Sequence, residues 1–363
     1  MTQQPLDIEG QQLTDPATPS LLEKLRQSGT PLGEYVKGQI YRGLVTGFSQ
    51  AFVVDLDTHD RLIAEHSSSA EVLKPFLTGR DVRRWQVDYA DRYLIKLESS
   101  KNKQHPWTGE PEPKAEKIFA QTYPAIHNHF SRFRQDLIKR RYQGEFFWEL
   151  RSYTYWQELE RSKIICPAIY QHQSFALDTD SFFPGDHCYC ITTNERWLCG
   201  LLNSQLVEWF SINSFSRLKD DIRMSTDSIQ KIPIPCVSTQ VKDRITILID
   251  YIFYLTTELK NFLSHGKSLM EVADDKLMLS YFEQIVNAVI MELYLPDEIH
   301  DHDKYFVYHL LQENLPILDI IKNDKMPELR IVFQRLFDRT HPIREGIFFL
   351  DSIPVVRTIR GLK

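Results

Sequence analysis

The chain has 363 residues, and 43 lysines and arginines against 49 aspartates and glutamates leave a formal charge of −6. At roughly 150 residues per domain that length fits about two domains. Its 21 phenylalanines, 16 tyrosines and 6 tryptophans exclude a disordered chain, and the acidic total argues against an indiscriminate polyanion binder.

Along the chain, the first residues read as a polar tail. Ser20 and Glu23 have capping-box spacing, and with Leu21, Leu22 and Leu25 ahead of Gly29 they predict a short helix. Ile40, then Leu44 and Val45, then Phe52, Val53 and Val54 are β-rich stretches around Thr46-Gly47, which predicts paired strands. A helix is expected over residues 69–77, ending at Gly79, and a strand over 92–97. Residues 99–114 are polar, proline-containing and aperiodic, the pattern of a long loop.

Ile126, Phe130, Phe133 and Leu137 then recur at helical spacing, with Arg132, Arg134, Lys139 and Arg140 on the other faces. Further strands are expected at 163–165, 173–177 and 187–191, and a helix from Thr192 to about Phe210. Residues 232–236 must be extended, because proline disfavours helix at and before itself. Beyond Pro235 the pattern is helical. Val241, Ile245, Leu248, Ile249, Ile252 and Leu255 mark one long amphipathic helix, and Leu277, Phe282, Ile285, Val286, Val289, Ile290 and Leu293 another. Shorter helices are expected near 304–313 and 327–338. A mixed α/β part therefore gives way to an all-helical part near residue 237.

No run approaches the roughly 18 apolar residues of a membrane span, and residues 1–12 are too polar and acidic for a signal peptide. The cysteines, Cys166, Cys188, Cys190, Cys199 and Cys236, lack framework spacing and fit a reducing cytoplasm. The glycines form no G-x-G pair, which leaves out a dinucleotide fingerprint and a P-loop, and no G-x-S-x-G or H-E-x-x-H occurs. His187, Cys188 and Cys190 lack a second ligand pair, so two buried core thiols are expected there rather than a metal site. Asp250 with Glu258 and Lys260 mimics a nuclease metal motif but falls on an amphipathic helix, where a solvated face is expected. No catalytic residue is assigned.

Charge is unevenly distributed. Residues 61–170 hold 19 basic and 14 acidic side chains, whereas 1–60, 171–236 and 237–363 are net −4, −3 and −4. Local lysine and arginine contacts, not net charge, set phosphate binding; a solvated surface would show the same balance. Within residues 123–156 lie ten aromatic side chains and six basic ones, a mixture in which guanidinium groups meet phosphates or guanine edges while rings stack. Phe130, Phe133 and Trp148 fit a core equally well, which leaves Arg140, Arg141, Arg151 and Tyr155 as contact candidates. Arg80-Asp81-Val82-Arg83-Arg84 is a second basic cluster, either a DNA contact or a structural ion pair.

The order of several short strings resembles the TaqI-like C-terminal specificity domain of type IIG restriction-modification enzymes and related adenine-N6 DNA methyltransferases. These strings are Ile40-Tyr41-Arg42-Gly43, Thr46-Gly47-Phe48, Ala51-Phe52-Val53-Val54-Asp55, Leu73-Lys74-Pro75-Phe76-Leu77, Gly79-Arg80-Asp81 and Trp85. They continue through Tyr123-Pro124-Ala125-Ile126, Trp148-Glu149-Leu150, Lys163-Ile164-Ile165, Phe175-Ala176-Leu177-Asp178, Leu201-Leu202-Asn203-Ser204 and Ile232-Pro233-Ile234-Pro235. Phe282-Glu283-Gln284-Ile285 and Glu292-Leu293-Tyr294-Leu295 are similar to the helical region that follows this domain, so the resemblance spans roughly residues 20–300.

The resemblance implies an α+β chain: a tail and short helix at 1–34, a target-recognition domain at 35–236 and a helical C-terminal domain at 237–363. It implies double-stranded DNA as ligand and a methyltransferase or endonuclease module as partner, in trans or on a missing N-terminal part, in the cytoplasm. The family's N-P-P-[YF] motif and glycine-rich cofactor loop have no match here. Methyl transfer is therefore not carried over, no cofactor is assigned to this chain, and S-adenosylmethionine is expected on the partner module. The resemblance does not say which side chains read DNA; the candidates are Arg42, Arg80, Arg83, Arg84, Arg140, Arg141, Arg151, Tyr155 and Lys163. The rivals are a catalytic half, nuclease or methyltransferase, and a protein-interaction subunit that does not touch DNA.

Overall fold

The computed structural model describes residues 17–262 and 268–362. The start of the expected polar tail, through residue 16, lies outside them. The first helix is Ala17–Gln27, so Ser20 sits within its first turn rather than capping it, and Leu21, Leu22 and Leu25 are buried.

The strands Ile40–Arg42 and Val53–Val54 both form, but they do not pair with each other as the sequence suggested. Ile40–Arg42 is the edge of a four-stranded antiparallel sheet that continues through Cys188–Thr192, Lys163–Pro167 and Ala176–Asp178. Val53–Val54 joins Tyr93–Ile95, Leu73–Leu77 and Phe183–Pro184, the last pair parallel. Ser49–Phe52 forms a helical turn between them, so Thr46-Gly47 is not a hairpin turn.

The helix expected over 69–77 is also corrected: only Ser69–Val72 is helical, and Leu73–Leu77 is a strand. Pro75 disfavours helix at Lys74, and the strand's partners bury Leu73, Phe76 and Leu77. The helix read through 126–137 is broken into Pro124–Ser131 and Arg134–Lys139. That read through 192–210 is broken into Arg196–Leu202 and Gln205–Ser214, where Ser204 caps the second piece by accepting from the Val207 amide. Pro233–Pro235 is extended and pairs with Gly29–Pro31.

The helical pattern beyond Pro235 becomes Thr239–Lys260, Leu269–Tyr294, Phe306–Gln312, Met326–Leu336 and shorter pieces. Ser238 caps the first of these, and Ser268 with Glu271 forms a capping box on the second. The largest apolar cluster joins these helices to the central sheet: Ile245, Leu248, Ile285 and Val289 share it with Ile164, Tyr189, Ile191 and Trp197. A second cluster is aromatic and drawn mostly from residues 44–159. There Phe119 stacks on Trp148 at 5.0 Å, Phe146 stacks on it at 4.7 Å, and Trp107 meets it edge-on at 6.2 Å. Among the described residues no helix is long and apolar enough to cross a membrane.

Candidate nucleic-acid interface

The irregular segments around Trp148 are held by buried polar groups. The loop at 99–114 ends in a helix that begins at Glu112, and it is closed over a fully buried Trp107 on which His105 stacks at 4.5 Å. Glu149, also fully buried, ties it down. Its carboxylate accepts from the Ser100 amide (3.0 Å) and hydroxyl, from Trp107 Nε1 (2.9 Å), and from the amides of Glu145 (2.9 Å) and Phe146 (3.3 Å).

Arg140 closes the same segment from its other side, and this corrects its place among the DNA contacts. Its guanidinium is buried over the Phe52 ring and donates to the carbonyls of Thr46 (2.6 Å), Tyr142 (3.1 Å), Phe147 (3.0 Å) and Glu149. Burial lowers its pKa to about 10, which leaves it charged at neutral pH. A cation so enclosed organises backbone; it does not reach a phosphate.

Lys163 is corrected for the same reason. It is fully buried, opposite Asp178 in the sheet, with Nζ 2.5 Å from that carboxylate and donating to the Leu159 carbonyl at 2.7 Å. Burial pushes the Asp178 carboxyl up, and Lys163 opposes it.

With the backbone fixed from inside, several other candidates converge outside. Arg151 lies 5.0 Å from the Tyr153 ring and 5.5 Å from that of Tyr142, and Arg141 lies 5.5 Å from Tyr142. Tyr155 stacks on Tyr41 at 4.9 Å and donates its hydroxyl to the Arg42 carbonyl at 3.1 Å. Burial pushes the Tyr153 and Tyr155 phenols up, so both are neutral at physiological pH. Arg42 is exposed, its Nε donating to the Asp186 carbonyl at 3.0 Å. Arg42, Tyr155, Arg151 and Arg141 thus form one band, with no acidic side chain paired to its arginines among the described residues.

The second cluster meets this band at the turn 185–187. A Cβ on Gly43 would collide with the Gly185 carbonyl, and one on Gly79 would lie 2.9 Å from the His187 carbonyl, so both glycines are needed for the approach. Asp81, beside Gly79, accepts from the Thr78 amide at 2.6 Å and pairs with Arg92 at 2.5 Å. The anion in Arg80-Asp81 is therefore taken by a residue outside the cluster, and Arg80 is exposed. Arg83 is exposed and 3.4 Å from Asp88. Arg84 turns away: its Nε is 3.3 Å from Glu283, which also accepts from Trp85 Nε1, so it ties this segment to Leu269–Tyr294 instead of facing outward.

A depression of about 870 Å³ is lined by Arg80, Arg83, Tyr170, Asp221, His172 and His187. Sequence reasoning missed His172 and weighed His187 only as a metal ligand. Both lie in short connections between strands, and only the sheet brings them beside Arg80.

Elsewhere, Cys188 and Cys190 are core thiols; burial pushes both up, that of Cys190 to about 12. Asp250 is not on a solvated face as expected. It lines a cleft of about 590 Å³ against Arg196, whose Nη1 donates to it at 2.9 Å, and burial raises its carboxyl to about 6. Among the described residues, no group of three or more histidines, cysteines and acids is placed to hold a metal.

Residues 74–234 match the family model of the TaqI-like C-terminal specificity domain. That span is narrower than the string resemblance, since it leaves out Ile40–Arg42 and the helices after Thr239. The chain is 25% identical over 224 residues to the Type II methyltransferase M.MjaIV of Methanocaldococcus jannaschii, covering 58% of this chain and 70% of that protein. Its fold is similar to that of the Type IIL restriction-modification enzyme MmeI, solved in complex with DNA, with a TM-score of 0.52 at 13% identity over 82% of this chain. The alignment takes in 35% of MmeI, so this chain spans about a third of that enzyme's length. The likeness takes in this chain's mixed α+β architecture with its helical C-terminal region. Residues 74–234 are thus similar to the TaqI-like C-terminal specificity domain, and the three comparisons together support a restriction-modification recognition domain in this part of the chain.

Proposed function

We propose that this chain reads a double-stranded DNA site for a restriction-modification system and directs an adenine-N6 methyltransferase or endonuclease module to it. The observation that carries the reading is the face from Arg141 and the half-buried Arg151 through Tyr155 and Arg42 to Arg80 and Arg83, where guanidinium groups, most of them exposed, sit with half-buried rings on a backbone locked from within. Arginine meets the O6 and N7 of guanine in the major groove, and each good pair discriminates by about 1–3 kcal/mol. MmeI, similar in fold, was solved with DNA, and M.MjaIV is a methyltransferase, which supports the same context for this domain.

In this reading the chain positions and does not catalyse. S-adenosylmethionine binds the methyltransferase module, on a partner or on a further segment of the polypeptide, and that module extrudes the target adenine. The five unpaired cysteines suit a reducing cytoplasm.

The test is binding of the chain, with and without its methyltransferase module, to duplex DNA at two salt concentrations. Binding should weaken steeply with salt. Arg151→Ala should lower affinity for the preferred sequence about 5- to 150-fold and relax preference at one position. Equal loss on every sequence would reassign Arg151 to a phosphate. Absence of salt-sensitive duplex binding overturns the DNA reading, and S-adenosylmethionine binding by the chain alone overturns its non-catalytic role.

A further inference from the structure

The hairpin of Ser216–Leu218 and Asp221–Arg223 sends Asp221 into the wall of the depression that Arg80 also lines. Its root is fixed. Asp221–Arg223 pairs with Ile169–Tyr170, Ile222 is buried in the main core, and the Met224 amide donates to the Ala168 carbonyl at 2.8 Å. Its other strand, Ser216–Leu218, is exposed at every residue. Lys219 turns the chain in the left-handed region, at φ 57°, and Leu218 beside it is 49% exposed.

The side chains on this arm are of mixed sign. Arg217, Lys219 and Arg223 are exposed with no acidic partner among the described residues, and Asp220 and Asp221 stand between them. Charges on an edge strand also discourage sheet-to-sheet pairing. An apolar tip works against that purpose, however, and acids would weaken a pure phosphate clamp. Arginine with aspartate instead matches base edges, since arginine donates to guanine while aspartate accepts from the cytosine amine. A two-stranded ribbon also fits the width of the major groove. Asp221 lines the depression shared with Arg80, Arg83, His172 and His187, so the arm continues the face already described.

We propose that the Ser216–Arg223 hairpin is a second reading arm that enters the major groove beside Arg80, with Arg223 on base edges from the face it shares with Asp221 and Leu218, and Arg217, opposite Ile222 on the other face, against the groove wall. The inference rests on the DNA reading above, and the two can fail separately.

The experiment selects bound duplexes from a randomised pool, using the full chain with its methyltransferase module. It compares the wild type with Arg217→Ala/Arg223→Ala, Lys219→Ala and Arg151→Ala, with thermal melts as the control for folding. The double variant should melt as the wild type does, because neither side chain enters the core. It should lose preference at one or two adjacent positions other than the one set by Arg151, with affinity down about 10- to 100-fold on the preferred site. Lys219→Ala should instead lower affinity evenly and reduce the salt slope by about one ion. A wild type that binds and an Arg217→Ala/Arg223→Ala variant that selects the same sequences overturn the arm while leaving the DNA reading intact. An even loss on all sequences from the double variant overturns base reading by the arm. A wild type that selects no duplex overturns both.

Discussion

In the helices after Thr239, apolar residues such as Ile245, Leu248, Ile252 and Leu255 recur every three or four positions. Regular backbone bonding leaves polar groups to satisfy mainly at the ends, where Ser238 and Ser268 do so. In the lobe around Trp148, long stretches have no regular backbone bonding. There the carboxylate of Glu149 and the guanidinium of Arg140 take over what a helix or sheet would do for its own amides and carbonyls. In this chain, burial of a charge marks scaffolding and exposure of one marks the face. Charged groups in the lobe are hidden so that their neighbours, such as Arg141 beside Arg140, can be held in the open.

The largest effect expected comes from breaking a buried pair. Lys163→Met takes away the charge that opposes burial at Asp178, leaving a buried carboxyl without its partner, and should cost about 3–5 kcal/mol in urea unfolding, whereas Lys163→Met with Asp178→Leu should recover most of that loss. A cost below about 1 kcal/mol for the single change would show that the pair is not what holds this edge of the sheet. Arg140→Met should cost about 2–4 kcal/mol, since several enclosed carbonyls lose their donor together. Tryptophan fluorescence reports this in the lobe itself, and an unchanged midpoint would dissolve the distinction between the two regions.

The smallest effect lies in the helical region, at Asp250. Its folded pKa, raised to about 6 by burial, exceeds the unfolded value, so the native state binds the extra proton. That contribution is complete below about pH 4, and is lost as pH rises through about 6. Unfolding midpoints taken across this window should therefore show the wild type gaining on Asp250→Asn as the solution is acidified. Parallel pH profiles would remove the shift.

Much of the architecture was legible in the sequence, and the reasons differ by region. Helices beyond Pro235 follow from apolar spacing alone. The strand at 73–77 was misread, although Pro75 signalled it, because Ser69 through Leu77 also fits a helical period. Breaks at Arg132 and Asn203 were missed because the apolar pattern runs through them. For the site, the sequence identified the two basic clusters and the band of Tyr155 and Arg151. It misplaced Arg140, Lys163 and Arg84, weighed His187 only as a metal ligand, and passed over His172 and the 216–223 hairpin.

What the sequence determined by itself was most of the order of elements, the helical C-terminal region and the resemblance to the specificity domain, since all three reside in local spacing and short strings. Only the tertiary structure decided which cations face outward. An arginine's role depends on the carbonyls, rings and acids that surround it, and those of Arg140 come from Thr46, Phe52 and Glu149, groups brought together only when the chain folds.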